Sequence, residues 1–429
     1  LKLPAETHPI PTMRILFLHQ HFPPETVGTS TRAGEIVEWL TARGHEVTVV
    51  TGIPCHPSTM RSGEVSRRQA REETWRGARV IRVWAYGTAA PDTTWRRLLT
   101  YGSFMVLGGL RAALLRGPFD ALVAVSPLPN GIAGQWVSQL RGWPLFFDVC
   151  DIWPDVAVAV GMVREGLFLR MARWLESRVY RRSKSIGVVT PGFTTNLVAK
   201  GVPESRVRLL PDWVMPDRYD PAFAKRDETR REFQLNGRFV AAFLGNFGRI
   251  MGLGALLDMA VILQQRAPEV LVLFVGKGVE QPMIEERIAR DGLQNVRIIP
   301  YQPRHRVPDL LAAADALLVT YCPDPITRIT VPSKIYEYMS MARPVVAGCE
   351  GVLATILEEA GCAEVVEDRN PERLAEAVLA LKADPERAAR MGEAGRHYAM
   401  DHFCFQKVAA DYEQTIAETA LQGSVIHRS

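Results

Sequence analysis

The chain predicts two doubly wound, Rossmann-like α/β domains, each a parallel sheet with helices on both faces and the two facing a central cleft. Three observations carry that prediction. Short, nearly unbroken apolar runs recur along the chain. Helical segments separate most of them. The alternation then restarts after a connector rich in Pro and Asp, Pro211–Pro221. Strands buried on both faces read as continuous apolar stretches, and parallel pairing requires a crossover, usually a helix. At 429 residues, with 47% hydrophobic and 23% charged side chains, the chain suits a globular protein of two or three domains.

Taken in order, residues 1–12 (LKLPAETHPIPT) lack the apolar core of a signal peptide and read as a loose leader. The first domain is expected over 13–210. It begins with strand Arg14–Leu18, a polar loop over 19–32, a helix from about Ala33 to Arg43 closed by Gly44, and strand Glu46–Thr51. Further strands are expected at Val80–Trp84, Ala121–Val125, Leu145–Asp148 and Ser185–Thr190. Two segments are cationic. Thr93–Pro118 holds Arg96, Arg97, Arg111 and Arg116 with no acid, and Arg164–Lys184 spaces Leu167, Phe168, Met171, Trp174 and Leu175 along a basic helix. Such helices either turn their apolar stripe to the core or lie on an anionic membrane surface.

The second domain is expected over 222–400. Its strands read at Phe239–Leu244, Val270–Val275, Val296–Ile299, Ala316–Thr320, Pro344–Ala347 and Ala363–Val366, with helices such as Gly254–Arg266 and Val307–Ala313 between them. A final helix, about 401–420, follows Met391–Gly395 and is expected to pack back on the first domain.

Open α/β sheets bind ligands at the C-terminal ends of their strands. In the first domain that edge carries the loop with Glu25 and Gly28, the turn Ser126–Gly131, and Asp148–Asp155 with Asp148, Asp151 and Trp153. In the second it carries Gly245–Gly252 with Asn246, Gly248 and Arg249, then Gly276–Gly278, Tyr301, and the stretch Ile329–Val346. That stretch reads as a loop through Val331, a helix with Pro332 in its first turn ending near Ala342 and Arg343, and a strand. Ser333, Lys334 and Glu337 share one helix face: a hydroxyl and a cation at the positive helix end suit a diphosphate, and a carboxylate one turn on suits ribose hydroxyls. An ordinary solvated Lys–Glu pair is the competing reading.

Composition and motifs exclude several classes. The net charge of +4 does not argue for nucleic acid, and six widely spaced cysteines fit neither a zinc site nor a disulfide framework. No G-x-G-x-x-G follows the first strand, no Walker G-K-[ST] occurs, and no D-x-D offers carboxylates for a metal on a diphosphate. No metal and no cofactor are expected. With no apolar run of roughly 18 uncharged residues, the protein is expected in the cytoplasm, at most peripheral at the inner membrane face.

With these residues assembled, the chain resembles the retaining glycosyltransferases of the GT-B fold in family 4. The likeness rests on M-R-I-L-F-L-H-Q-H-F-P-P-E-T-V-G, A-R-G-H-E-V-T-V-V-T, L-P-D-W-V and E-Y-M-S-M-A-R-P-V-V, in order over about residues 13–415. D-x-x-D-x-W-P at Asp148–Pro154, G-N-x-G at Gly245–Gly248 and P-S-K-x-x-E-Y at Pro332–Tyr338 look closest to the L-fucosamine and colanic-acid-type branch. The resemblance implies transfer from a UDP-linked sugar to an acceptor hydroxyl in cell-surface polysaccharide or glycoconjugate synthesis. The acceptor would be a sugar or a polyprenyl-linked saccharide.

The resemblance also implies residue roles. Glu337 would hold the ribose, Arg249 the diphosphate, and Gly28 would let the first loop touch the donor, with Asn246, Gly248, Ser333, Tyr301 and Val331 completing the donor edge. Asp151 would orient the acceptor or sugar, beside Glu25, Asp148 and Trp153 on the acceptor side. Two positions depart from the family pattern. Ile329 stands where a second glutamate is usual, which fits a less hydroxylated donor sugar such as a 6-deoxy sugar. Ile250 and Met251 stand where a lysine is usual, and Lys334 is inferred to supply that cation. A sugar-nucleotide epimerase of the same architecture, or a binding protein without catalysis, stays open; incubation with donor alone separates the first from a transferase.

Overall fold

Apolar runs of five or so residues, buried on both faces, set the frame of each domain. A computed structural model of the chain describes residues 10–25, 28–54, 71–86, 94–159, 161 and 166–424. The chain divides into two compact units, Leu1–Pro211 with Val408–Ser429, and Asp212–Lys407. Most of the expected leader and Cys55 lie outside the described residues. Cys150, Cys322, Cys349, Cys362 and Cys404 are free thiols.

The first unit holds an eight-stranded sheet: β1 (Arg14–Leu18), β2 (Glu46–Gly52), β3 (Arg71–Trp75), β4 (Ala78–Val83), β5 (Ala121–Val125), β6 (Leu145–Val149), β7 (Ser185–Val188) and β8 (Val207–Leu209). Their order is β3-β4-β2-β1-β5-β6-β7-β8. Every pairing is parallel except the β3–β4 hairpin at one edge. All residues of β5 and β6 are buried.

Three sequence expectations are corrected here. β3, with the charged sequence REETW, and the three-residue β8 are not among the expected strands, because edge strands need no apolar run. The strand expected at Val80–Trp84 ends at Val83 and leaves Trp84 exposed. The first helix runs Gly28–Ala42 rather than from Ala33, because Ser30 and Arg32 turn inward and Ser30 Oγ donates to the Glu25 carbonyl at 2.8 Å.

The C-terminal helix Phe405–Ser424 belongs to this sheet from Val408 onward. Tyr412 meets Phe146 edge-on at 5.1 Å, and Thr419 Oγ1 lies 2.9 Å from Ser185 Oγ. Buried Glu413 accepts from Trp39 Nε1 at 2.9 Å and pairs with Arg43. His45 accepts from Met13 N–H through Nδ1, so its Nε2 carries the proton donated to Glu413 at 3.0 Å. The preceding helix, Pro385–Phe403, passes straight through Met391–Gly395. Its glycines serve close packing rather than a break: a Cβ on Gly392 would fall 2.2 Å from the Ala342 carbonyl.

The second unit is a fully parallel six-stranded sheet in the order β11-β10-β9-β12-β13-β14. Its strands are β9 (Phe239–Asn246), β10 (Val270–Lys277), β11 (Val296–Pro300), β12 (Ala316–Thr320), β13 (Val345–Gly348) and β14 (Ala363–Val365). Along β9, Val240, Ala242 and Leu244 enter one core, Ala241 and Phe243 the other, as strand periodicity requires. The helix Lys334–Ser340 has seven residues and Ser333 as its N-cap, so Pro332 precedes the helix and its end comes earlier than Ala342. Ala342 then adopts φ 51°, the left-handed conformation usually left to glycine. Ala342→Gly is expected to raise unfolding stability by up to about 1 kcal/mol, read from the urea midpoint, because relief of the Cβ clash outweighs glycine's extra unfolded-state entropy.

Candidate functional site

Strand order reverses between β1 and β5 in the first unit and between β9 and β12 in the second, the positions where open α/β sheets leave a crevice for ligands. In the second unit β9 runs into a 3-10 turn, Arg249–Met251, closed by Gly252 at φ 60°. Cys322, just past β12, donates its N–H to the Ile250 carbonyl at 2.9 Å, and its thiol lies 3.1 Å from the Arg249 carbonyl. Both switch strands therefore hold the turn. The Arg249 side chain is 71% exposed, with Glu280 3.9 Å away, so its guanidinium is presented rather than consumed.

Lys334 lies against this turn. Its Nζ sits 3.7 Å from the centroid of the Phe243 ring and 3.8 Å from Met251 Sδ. The aromatic face attracts the cation, but burial lowers its pKa to about 7, partly offset by Glu337. Gly245 makes room for it: at φ 139°, a Cβ there would fall 2.7 Å from Lys334 Nζ.

Glu337 follows one turn later and accepts a 2.6 Å hydrogen bond from the Tyr219 hydroxyl. Burial and the Glu337 charge push the Tyr219 phenol up, and nearby Arg304 opposes them. Tyr338 accepts from the Leu244 N–H at 2.8 Å and donates to the Leu244 carbonyl at 3.0 Å, fixing the helix to the end of β9.

The remaining donor-side candidates fall around this group. Asn246 is exposed, and a Cβ on Gly248 would meet its amide at 3.3 Å. Lys277 Nζ lies 4.9 Å over the exposed Tyr301 ring. Val331 is buried in the core. Ser333 is exposed and makes no capping bond, and a seven-residue helix has little dipole to offer, so the expected anion site at that helix end is corrected. The cations here are side chains.

In the first unit two expected acceptor contacts are corrected. Asp148 is fully buried, bonded to Arg32 Nε at 3.0 Å and to the Tyr412 hydroxyl at 3.0 Å. Glu25 is buried against His21 Nδ1 at 2.7 Å. Each carboxylate is spent on structure. Gly28 opens a helix rather than sitting in a loop, with open space where a Cβ would stand; residues 26 and 27 lie outside the described set. Asp151 is exposed, and Trp153 lines an apolar cavity. Buried His19, after β1, and Asn130 meet at 3.2 Å on the same sheet edge. Burial, with His21 adding to it, lowers the His19 pKa to about 3.

Tyr219, Arg304 and His19 carry no sequence signal of their own, and Tyr338 stands out only as the last residue of P-S-K-x-x-E-Y. Tyr219 stands in the connector 118 residues from the carboxylate it serves, and no local pattern marks such a partner. Among the described residues no group of three or more His, Cys, Asp or Glu is placed to hold a metal ion.

Known proteins resemble the chain in both units. Residues 27–213 match the glycosyl transferase 4-like domain, and residues 225–398 match glycosyl transferases group 1. The chain is 28% identical over 315 residues to a putative colanic acid biosynthesis glycosyl transferase, WcaI, of Escherichia coli, covering 72% of this chain and 76% of the relative. Among solved structures it resembles Anabaena HepE in complex with UDP (TM-score 0.72, 17% identity, 95% of this chain and 100% of that one). It also resembles sucrose-phosphate synthase of Thermosynechococcus elongatus (TM-score 0.74, 17% identity, 97% and 100%).

Proposed function

Because the chain is a glycosyltransferase of the GT-B fold related to the family 4 and colanic-acid-type enzymes, we propose that it moves a sugar from a UDP-sugar to an acceptor hydroxyl with retention at the anomeric carbon. The observation that carries this reading is the packing of Lys334 against the Arg249 turn, with Glu337 one turn further on and oriented by Tyr219. Those groups suit a nucleoside diphosphate: cations for the diphosphate, then a carboxylate for ribose hydroxyls. The HepE structures with UDP and with UDP-glucose support the choice of nucleotide. The name of the Escherichia coli relative supports an acceptor saccharide of a cell-surface polysaccharide.

In this reading the bond from the anomeric carbon to the diphosphate oxygen breaks, and the acceptor oxygen bonds to the same face. The acceptor's proton passes to a donor phosphate oxygen, and UDP leaves. Negative charge grows on the diphosphate as the bond breaks, so preorganised cations beside it lower the barrier. Arg249 supplies one and Lys334 the other, in the place of the lysine missing after Arg249. Tyr301 flanks the base. Asn246 and Gly248 shape the phosphate loop; on the first unit, Asp151 is assigned to the acceptor or sugar and Gly28 to the donor. Ile329, half-buried in the turn Thr327–Ile329, offers no hydrogen bond from its side chain and favours a sugar poor in hydroxyls.

The test is a melting-temperature titration with UDP and GDP, followed by a UDP-sugar screen with the anomer of the product read by NMR. UDP at about 100 times its dissociation constant stabilises the protein by about 2.7 kcal/mol. In Glu337→Ala at the same UDP concentration, most of that gain disappears. No melting shift with UDP, or an inverted product, sinks the reading.

A further inference from the structure

We propose that the second unit holds a phosphate-binding site at the N-terminal ends of its strands, where Arg343 presents a guanidinium whose buried nitrogen the fold leaves without an acceptor. The inference stands apart from the transferase reading, because it uses none of the donor-side residues. Strands β12 and β13 lie side by side and parallel, and the Leu317 N–H donates to the Pro344 carbonyl at 2.9 Å. Asp315, just before β12, and Arg343, two residues before β13, therefore come together at one edge of the sheet. The helix Arg226–Glu232 brings Arg226 and Arg230 to the same place, each paired with Asp315.

The acceptors there are already taken. Asp315 Oδ1 accepts from Arg226 at 2.5 Å, and Oδ2 accepts from Arg230 at 3.1 Å and from the Val240 N–H at 2.8 Å. The remaining bonds of the two arginines go to main-chain carbonyls: Arg226 donates to Ala312 and Ala314, and Arg230 to Ala313, Leu235 and Arg238. Arg343 has no share in this network at its Nε, which is buried and has no hydrogen-bond partner among the described residues. Neighbouring acids are answered elsewhere, Glu232 by Arg306 and Glu228 by Lys225, while Asp309 accepts from the Lys225 N–H at 2.9 Å.

Charge selects the ligand. Burial and then the charge of Arg226 lower the Arg343 pKa to about 10, with Arg230 adding to them and Asp315 opposing. The group is still ionised at neutral pH, and a half-buried cation without a counter-ion is costly. Three guanidiniums against the single carboxylate of Asp315 leave an excess of two positive charges. A phosphate group carries about −1.5 to −2 and meets that excess, whereas a carboxylate would meet half of it. Its oxygens also match the planar fork of an arginine. Arg226, Asp315 and Arg343 stay partly exposed, so the place is open to solvent. Lys334 and Arg249 belong to the opposite edge of the sheet. A five-residue strand such as β12 puts roughly 16 Å between the two edges, so a phosphate here does not compete with a nucleotide there.

The experiment follows the melting temperature of the full chain as inorganic phosphate rises through the millimolar range, with ionic strength held constant by chloride, with and without saturating UDP. Wild type should show a saturable upward shift in both series. Arg343→Met should weaken phosphate roughly tenfold or more, because a charged, forked contact is lost, and should keep its UDP shift. Arg343→Lys keeps the charge without the fork, so it should weaken phosphate to a smaller degree; it carries the test if the methionine variant does not fold. A hexose 6-phosphate titrated in the same way separates a phosphate monoester from the free ion: whichever binds more tightly is the ligand, and either supports the site. No saturable shift in wild type, an undiminished shift in the arginine variants, or loss of the phosphate shift once UDP is bound overturns the inference. Absence of a UDP shift in wild type strikes the transferase reading alone, since the phosphate series without UDP still decides this one.

Discussion

Lys334→Met is expected to lower transfer turnover on the order of a hundredfold or more while making the free protein more stable at neutral pH. Both effects have one cause. The ammonium is half-buried over Phe243, and burial holds its pKa near 7, against 10.5 in the unfolded chain. A folded-state pKa below the unfolded value means that the unfolded chain binds more protons between those limits, so stability rises with pH through that window. Below about pH 7 the penalty of the buried charge is fully present. Partial exposure reduces it to on the order of 1–3 kcal/mol, which methionine removes. A docking diphosphate reverses the balance, because its charge favours the protonated amine. Donor binding above neutral pH should therefore take up a proton, and donor affinity should fall as pH rises through about 7. The measurements are kcat and melting temperature for wild type and variant across pH 6–9. Near-normal turnover in Lys334→Met would remove this lysine from the diphosphate site.

Asp148→Ala is expected to destabilise the first unit by about 3–5 kcal/mol, because it leaves the Arg32 guanidinium buried without its counter-ion. The carboxylate joins the first helix, β6 and the C-terminal helix through Arg32 and Tyr412. Its loss should lower the urea midpoint before any effect on acceptor KM is read. Tyr412→Phe, which removes one bond and keeps the pair, should cost about 1 kcal/mol. A midpoint for Asp148→Ala indistinguishable from wild type would return Asp148 to the acceptor-side candidates.

These two residues show what a sequence conveys here and what it does not. Parallel strands announced themselves because both faces are covered and the run is apolar, as throughout β5 and from Val270 to Gly276 of β10. The charged edge strand β3 had no such signature. Lys334, Arg249 and Glu337 were legible as a group because their loops all leave C-terminal strand ends of one sheet. Asp148, at the end of β6, and Glu25, in the loop after β1, lie on the same kind of sheet edge and read the same way in the sequence. Their partners, Arg32 and His21, decide otherwise, and for Asp148 that partner is 116 residues distant. Tyr219 was invisible for the converse reason: it acts through a contact that only the folded chain creates.

The pair of hydrogen bonds between the Tyr338 hydroxyl and the Leu244 backbone bears on the entropy of binding. One phenol occupies both backbone polar groups of Leu244, near the end of β9, and stands next to Glu337 in its helix. Glu337 and the Arg249 turn thereby form a single stiff cradle before any ligand arrives. A ligand entering it would not have to assemble its own site, so more of its contact energy would appear as affinity. Tyr338→Phe should then leave the nucleotide's contacts intact and still weaken binding, with the loss carried by entropy.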